Sequence, residues 1–175
     1  MSAKFKRNNI SKPELLILKE LRKNSRNSLA HISRKINIPI STIFDKLNNL
    51  EKSMIYKHVT LLDFASLGYG IRAYYILKAK KKAKLKDFLM NHPNVNTVHR
   101  TNNGTDFFIE AIFKDMRQRH EFAEKLHDFG MISMGEHFIS EEVVKENFLT
   151  KPEHVDLVFS RLQFEEAENK EIQNN

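Results

Sequence analysis

The chain has 175 residues with a hydrophobic fraction of 41%, which suits one ordinary domain or two small ones. It contains no cysteine, so disulfides, thiolate metal sites and thiol nucleophiles are excluded. No apolar run is long enough to cross a bilayer, and the basic start lacks the apolar segment of a signal peptide. These features predict a soluble, cytoplasmic protein.

The charge is distributed unevenly along the chain. Residues 1–60 hold 13 Lys and Arg against 4 Asp and Glu, a net +9, whereas residues 61–140 carry +3 and the last 35 residues −5. Positive charge must be concentrated in one region to attract a polyanion. This distribution indicates a nucleic-acid-binding module joined to a second module, and the alternative is charge that only keeps the protein soluble.

Two helices and a turn are predicted near the N-terminus. Apolar residues at helical spacing predict a first helix from Lys12 to Asn24. Ser28 is suited to cap a second, short helix whose buried face holds Ile32 and Ile36. Asn37 follows where a tight turn needs a left-handed residue, a conformation that asparagine tolerates.

A third helix is predicted from Ile40 to Lys52, because Ile43, Leu47 and Leu50 recur at helical spacing. Three short helices with a tight turn between the last two form a helix-turn-helix. Burial of this apolar stripe directs Thr42, Asp45, Lys46 and Asn49 outward, with Ser41 and Asn48 at the margins.

The outward face of the third helix has the chemistry of a major-groove surface. Asparagine recognises the N6 and N7 edge of adenine, and lysine contacts guanine or phosphate. Asp45 is suited either to accept from a cytosine amine or to pair with Lys46 or another neighbour. The alternative is that these polar residues only solvate an amphipathic helix.

The segment from Ile55 to Leu62 is rich in β-branched and apolar residues. It predicts a short strand pair, the wing, which would place Lys57 beside the phosphate backbone. Gly68 and Gly70 interrupt both periodicities and indicate a linker over residues 63–70.

Residues 71–145 alternate in the order strand, helix, strand, strand, helix, strand. Asn103 and Gly104 form a strong hairpin signal because both accept positive φ. The third strand has alternating Phe107, Ile109, Ala111 and Phe113, and the fourth is expected to direct Ile132, Met134 and Phe138 to one face. This order predicts a ferredoxin-like βαββαβ domain, so the fold class is α+β.

Both helices of this domain lie on one face of the predicted sheet, which leaves the other face partly apolar. A second copy of the sheet is the simplest cover, and two-fold pairing suits a palindromic DNA site. The extension over residues 150–175 predicts another helix, with a strand through His154 to Phe164 as the alternative.

Four stretches of the sequence occur in register with a known family. They are the segment from Arg26 to Ile43, the pair Leu50-Glu51, the pair Leu62-Asp63 and the run Leu67-Gly68-Tyr69. From about Ile10 to Lys145 the chain resembles the leucine-responsive regulatory protein/AsnC regulators, also called feast/famine proteins. The resemblance implies a winged helix-turn-helix followed by a RAM-type domain. It also implies a homodimer, assembled further into tetramers or octamers in some members, that binds promoter DNA and senses a small molecule such as an amino acid.

The resemblance places the effector-binding loop at Asn103, Gly104, Thr105 and Asp106. Asn103 stands where the family has glycine, and Thr105 replaces a common aromatic residue, so sensing of another ligand or of none is equally open. The family's two basic pairs in the third helix correspond to Asp45-Lys46 and Asn48-Asn49 in this chain. The DNA sequence that the family recognises is therefore not transferred to this protein.

The sequence thus predicts a sequence-specific DNA-binding transcription regulator without enzymatic activity, cofactor or metal. One alternative is a tetrapyrrole decarboxylase of the haem pathway with a related two-domain architecture. Another is a ligand-binding or interaction module that does not bind DNA. The predicted divisions are a winged helix-turn-helix over residues 1–62, a linker over 63–70, a dimerisation and effector domain over 71–149 and an extension over 150–175.

Overall fold

The computed structural model describes residues 10–143 and 146–173, with side chains described as far as Phe164 in the last helix. These residues divide into two compact units, residues 10–60 with 146–173 and residues 61–143. We call them the helix-turn-helix unit and the sheet unit. The elements in chain order are α1 (Lys12–Lys23), α2 (Leu29–Ile36), α3 (Ile40–Ser53), β1 (Ile71–Ala79), α4 (Lys82–Asn91), β2 (Val95–Arg100), β3 (Phe107–Phe113), α5 (Met116–His127), β4 (Met131–Phe138) and α6 (Pro152–Gln173).

The first two helices begin at side-chain caps. The carboxylate of Glu14 accepts a hydrogen bond of 2.7 Å from the backbone N–H of Ser11, which precedes α1. Ser28 Oγ accepts a hydrogen bond of 3.2 Å from the backbone N–H of His31 at the start of α2. Each cap satisfies a backbone group that the helix itself leaves unpaired. The three predicted helices are confirmed.

The core of the helix-turn-helix unit draws on both ends of the chain. Its buried residues from α1, α2 and α3 are Leu15, Ile17, Leu18, Ile32, Ile43 and Leu50. Leu149 and Val155 complete the same core from the C-terminal segment. Because α1 contacts α6 as well as its neighbours α2 and α3, the C-terminal segment is part of this unit.

Polar contacts also join the C-terminal segment to α1. Arg22 Nε donates a hydrogen bond of 3.1 Å to the Phe148 carbonyl, and Arg22 Nη2 lies 2.9 Å from Glu146 Oε2. Lys12 Nζ lies 3.4 Å from Asp156 Oδ1. Of the two interpretations of residues 150–175, the helix is confirmed, and it extends to Gln173. The predicted functional divisions at residues 62, 70 and 149 stay predictions.

The expected wing strands are wrong for this structure. Residues 55–62, all of which are described, form no strand, and Tyr56 is 94% exposed. A two-stranded ribbon is stable only when it buries an apolar face or has a favourable turn. The segment buries no such face, and residues 55–62 contain no glycine, asparagine or aspartate for a tight hairpin turn.

The sheet unit is the predicted ferredoxin-like domain. Its four strands are antiparallel in the order β2-β3-β1-β4. Leu85 and Leu89 of α4 and Phe122 and Leu126 of α5 are buried in one core with alternate residues of β1 and β3. Both helices therefore cover the same face of the sheet, as two right-handed βαβ-type crossovers require.

One detail of β4 differs from the expectation. Met134 lies opposite Leu77 and packs against the core. A register shift between Lys78 and Ala79 then places Met131, and not Ile132, opposite Ala79. Ile132 is therefore exposed instead of sharing the core face with Met134. An added residue in one strand reverses the facing of the residues beyond it, which periodicity alone does not predict.

The second face of the sheet carries an apolar patch in which Tyr74, Ile76 and Phe108 are partly exposed and Ile112 is buried. The rings of Tyr74 and Phe108 stack with centroids 5.0 Å apart, and Ile76 pairs with Phe108 across the strands. At one end of the patch, Arg72 Nη1 lies 2.7 Å from Glu142 Oε2. We call these four residues the open-face patch.

No helix within the described residues combines the length and apolarity needed to cross a membrane.

The contribution of α6 to stability is testable with two positions of that helix. Val155 is 1% exposed, whereas Leu157 is 64% exposed. We expect Val155→Ala to lower the free energy of unfolding of the helix-turn-helix unit by about 2 kcal/mol, since it leaves a cavity in the shared core. Urea unfolding combined with hydrogen exchange of α1 amides measures the effect. Leu157→Ala is the matched control, and an equal loss for both variants would contradict the packing of α6.

Candidate nucleic-acid interface and hairpin loop

The rotation of α3 about its axis is fixed by two buried residues, Ile43 and Leu50. The opposite side of the helix carries Ser41, Asp45 and Asn49, which are exposed, and Thr42 and Asn48, which are partly exposed. Five of the six predicted contact residues of α3 therefore lie together on an accessible face. Hydroxyl, amide and carboxylate groups on that face match the donors and acceptors of base edges.

Lys46 lies apart from this face. Its Nζ is 3.3 Å from Ser11 Oγ and 3.8 Å from Glu14 Oε1, so its ammonium group is directed to the start of α1. Burial by itself would raise the pKa of Glu14, but hydrogen bonds from Ser11 and the charge of Lys46 outweigh it and lower the pKa. Lys46 thus joins α3 to the cap of α1.

The turn between α2 and α3 fixes the relative position of the two helices. Asn37 adopts the predicted left-handed conformation, with φ 53° and ψ 49°. Ser33 Oγ donates a hydrogen bond of 2.6 Å to the Ile38 carbonyl across the turn. The polar groups of the turn therefore have hydrogen-bond partners within the turn itself. Because α3 begins directly after the turn, no linker allows its direction to vary.

A buried carboxylate organises the basic side chains beside this turn. The side chain of Glu20 is 3% exposed, and Lys19, Lys23 and Lys35 place their Nζ atoms within 3.5 to 3.6 Å of its oxygens. Burial raises the pKa of Glu20, but the three lysines more than compensate, so the pKa is lowered. Lys57, the predicted phosphate contact, is exposed in the irregular segment after α3.

Sequence reasoning missed an apolar element on the accessible side of α3. Phe44 is 53% exposed and Ile40, one turn earlier, is 49% exposed. The available signal was position, because Phe44 lies three residues after Ser41 and four before Asn48, which places it on the same helix face.

The hairpin between β2 and β3 has the predicted backbone. Asn103 and Gly104 both have positive φ, at 53° and 87°. Thr105 Oγ1 lies 2.9 Å from Thr101 Oγ1 and donates a hydrogen bond of 3.1 Å to the Asn102 carbonyl. These contacts close the loop on itself.

The carboxylate of Asp106 is bound by this chain's own groups. Its Oδ1 lies 2.6 Å from Lys82 Nζ, and its Oδ2 accepts a hydrogen bond of 3.0 Å from the Ala79 backbone N–H. The hydrogen bonds from Lys82 and Ala79 outweigh the effect of burial and lower the pKa of Asp106. Asp106 therefore ties the end of β1 and the start of α4 to the hairpin.

Histidines and carboxylates do not assemble into a metal site in the part of the chain that is described: no group of three or more such side chains could hold an ion there.

Comparisons with known proteins agree with this architecture. A family model described as winged helix-turn-helix DNA-binding matches residues 10–53. An uncharacterised HTH-type transcriptional regulator of Pyrococcus horikoshii is 26% identical over 139 residues, which cover 78% of this chain and 94% of the relative. A second such regulator of the same organism is 30% identical over 109 residues, or 61% of this chain and 69% of the relative.

Solved structures share the fold of both units. LrpC of Bacillus subtilis has a TM-score of 0.72 at 19% identity, covering 79% of this chain and 99% of its own. A transcriptional regulator of Neisseria meningitidis in complex with L-Met has a TM-score of 0.70 at 22% identity, covering 78% and 93%. AsnC of Escherichia coli has a TM-score of 0.68 at 15% identity, covering 79% and 97%.

The Lys82–Asp106 pair leads to a titration experiment. We expect Lys82→Ala to raise the pKa of Asp106 toward its ordinary value while leaving it lowered, because the Ala79 N–H still donates to the carboxylate. Since the folded pKa lies below the unfolded one, the pair stabilises the sheet unit at neutral pH, and this stability is lost as pH falls through the folded pKa.

Carboxyl NMR titration of the native protein and the variant measures this shift. Lys84→Ala removes a neighbouring exposed lysine and is the control. An unchanged Asp106 midpoint in Lys82→Ala would show that the pair does not form in solution.

Proposed function

Because this chain belongs to the leucine-responsive regulatory protein/AsnC family of DNA-binding transcription regulators, we propose that it binds its operator through the accessible face of α3. The observation that carries the proposal is that α3 buries Ile43 and Leu50 while Ser41, Asn48 and Asn49 remain accessible. Neutral hydroxyl and amide groups suit base edges, and the +9 charge of residues 1–60 suits the phosphates.

Each side chain of this face has a role that follows from its chemistry. Asn48 and Asn49 are suited to pair with the N6 and N7 atoms of adenine, and Ser41 and Thr42 to donate to base or phosphate oxygens. Asp45 accepts from a cytosine amine and repels phosphates that approach wrongly, which adds selectivity. We assign phosphate contact to Lys57 and a positioning role to Lys46, because Lys46 is engaged with Ser11 and Glu14.

The names of the relatives favour DNA binding over catalysis. The two Pyrococcus horikoshii relatives are transcriptional regulators by name. A tetrapyrrole decarboxylase would have no use for an exposed amide-rich helix in a basic unit, so this alternative is not favoured. An interaction module without DNA binding leaves the same face of α3 unexplained.

The proposal includes a homodimer formed through the open-face patch. Tyr74, Ile76 and Phe108 are partly exposed, and with the buried Ile112 they give one side of the sheet an apolar surface, whereas α4 and α5 pack on the other side. A two-fold related copy supplies an identical surface, so that each patch buries the other. Two copies of α3 then match the two halves of a palindromic operator.

A small-molecule effector is the remaining part of the proposal, at Asn103, Gly104, Thr105 and Asp106. The structurally similar regulator of Neisseria meningitidis was solved with L-Met. In this chain Lys82 already neutralises Asp106 at 2.6 Å. A ligand with an ammonium group must therefore displace Lys82, whereas a ligand that binds only backbone groups of the hairpin leaves the pair intact.

The test of DNA binding is a salt titration with an operator selected from random duplexes. We expect Asn49→Ala to weaken binding by about 1 to 3 kcal/mol and to relax specificity at one position. Lys57→Ala should weaken binding to all sequences and reduce the salt slope by about 1, because one phosphate contact is lost.

Asn91→Ala and Lys125→Ala, which change exposed side chains of the sheet unit, are the matched controls. If the native protein shows no sequence preference, or if the α3 variants bind like the controls, the assignment of α3 is wrong.

The dimer is tested by sedimentation at micromolar concentration. We expect the native chain to sediment as a dimer or larger species and Ile76→Glu to shift it toward monomer, since a carboxylate would be buried in an apolar interface. Ile132→Glu, at an exposed position of β4, is the control. Circular dichroism establishes that both variants are folded. A native monomer, or equal dissociation of both variants, would contradict pairing through the open-face patch.

A further inference from the structure

Phe44 is a large apolar side chain on an otherwise polar helix face. It is 53% exposed, although the core of the helix-turn-helix unit is complete without it. Ser41 precedes it by three residues, and Asp45 and Asn48 follow it on the same side of α3. About half of the Phe44 side chain is therefore free to contact whatever α3 meets.

The position of Phe44 suits a base contact. Recognition helices meet base edges mainly through their N-terminal residues, and Phe44 is the fifth residue of α3, which begins at Ile40. Ile40 lies one turn earlier and is also exposed. The exposed large apolar side chains of α3 thus lie near its N-terminal end, which the proposed function places in the major groove.

The chemistry of DNA narrows what such a side chain recognises. The C5 methyl of thymine is the apolar group that a base pair presents in the major groove, and phenylalanine is among the side chains that pack against it. A protein partner would need a wider apolar surface, but the exposed large apolar side chains of α3 are Ile40 and Phe44 alone, and Ser41, Asp45 and Asn48 flank Phe44. The net +9 of residues 1–60 also favours a polyanionic partner over a protein surface.

We propose that Phe44 is a specificity-determining residue that packs against the C5 methyl of a thymine in the operator. This inference rests on the proposed entry of α3 into the major groove, and it adds a base preference that the polar residues do not provide. Asparagine at positions 48 and 49 selects adenine, whereas Phe44 selects a thymine at a separate position of the same half-site.

The experiment removes single methyl groups from the DNA. The full chain is first used to select an operator from random duplexes, and each thymine of that operator is then replaced in turn by uracil. Uracil pairs as thymine does but lacks the methyl. We expect the native protein to lose about fourfold in affinity at one position of each half-site, which corresponds to the loss of one buried methyl-sized group. Phe44→Ala should bind both duplexes equally.

Two controls make the result specific. Phe164→Ala removes an equally large exposed ring from α6 and should keep the full response to uracil. Phe44→Leu keeps an apolar contact and should retain part of that response. Hydrogen exchange of α1 and α3 amides shows whether Phe44→Ala remains folded, as its partial exposure predicts.

The outcomes separate this inference from the proposed function. If the native protein selects no operator, the proposed function fails. If it selects one but uracil weakens Phe44→Ala as much as the native protein, or weakens neither, the thymine contact is wrong while DNA binding by α3 stands. If Phe44→Ala changes the sedimentation of the protein and leaves the uracil response intact, Phe44 lies in a protein interface and the inference is overturned.

Discussion

The burial of Ile43 and Leu50 is the constraint on which the interface depends. These two residues lie seven positions apart, two turns along one side of α3, and both are inaccessible to solvent. Because a helix is rigid about its axis, burying them determines which side chains point outward. The identity of the accessible face is therefore decided by core packing and does not require the polar residues to interact with each other. Asn37 adds the second constraint, since its left-handed conformation fixes where α3 begins.

The C-terminal segment strengthens the same constraint from the other end of the chain. Leu149 and Val155 close the core against α1, and Arg22 and Lys12 form ion pairs with Glu146 and Asp156. These surface pairs contribute little individually, so the apolar contacts carry the stability. The segment that the sequence analysis treated as a C-terminal extension is therefore a structural component of the DNA-binding unit.

Local signals in the sequence predicted most of the fold. The serine that caps α2, the asparagine in the turn and the Asn103-Gly104 hairpin each act within a few neighbouring residues, so their conformations follow from sequence. The βαββαβ order followed from the change between helical and strand periodicity. These features need no knowledge of which distant residues meet.

Long-range contacts explain what the sequence did not predict. Lys46 faces Glu14, 32 residues earlier, and Lys82 faces Asp106, 24 residues later. Neither pairing can be predicted from the spacing of residue types along the sequence. The packing of Val155 beside α1 and the register shift that exposes Ile132 are non-local in the same sense. The predicted wing strands are wrong for a related reason. Residues 55–62 have strand propensity, but within the described residues they have no surface on which a strand pair could pack.

Ion pairs within the helix-turn-helix unit reduce the number of its positive charges that are free to neutralise DNA phosphates. Between residues 10 and 60, six basic side chains lie within 4 Å of a carboxylate, namely Lys12, Lys19, Arg22, Lys23, Lys35 and Lys46. In this described stretch, Arg26, Arg34, Lys52 and Lys57 have no such partner. Only cations that neutralise phosphates release the counterions condensed on DNA, and this release makes binding depend on salt. The counterions displaced by each copy of the chain should therefore reflect these four side chains and the basic residues before Ile10, so formal charge overstates the electrostatic share of the affinity.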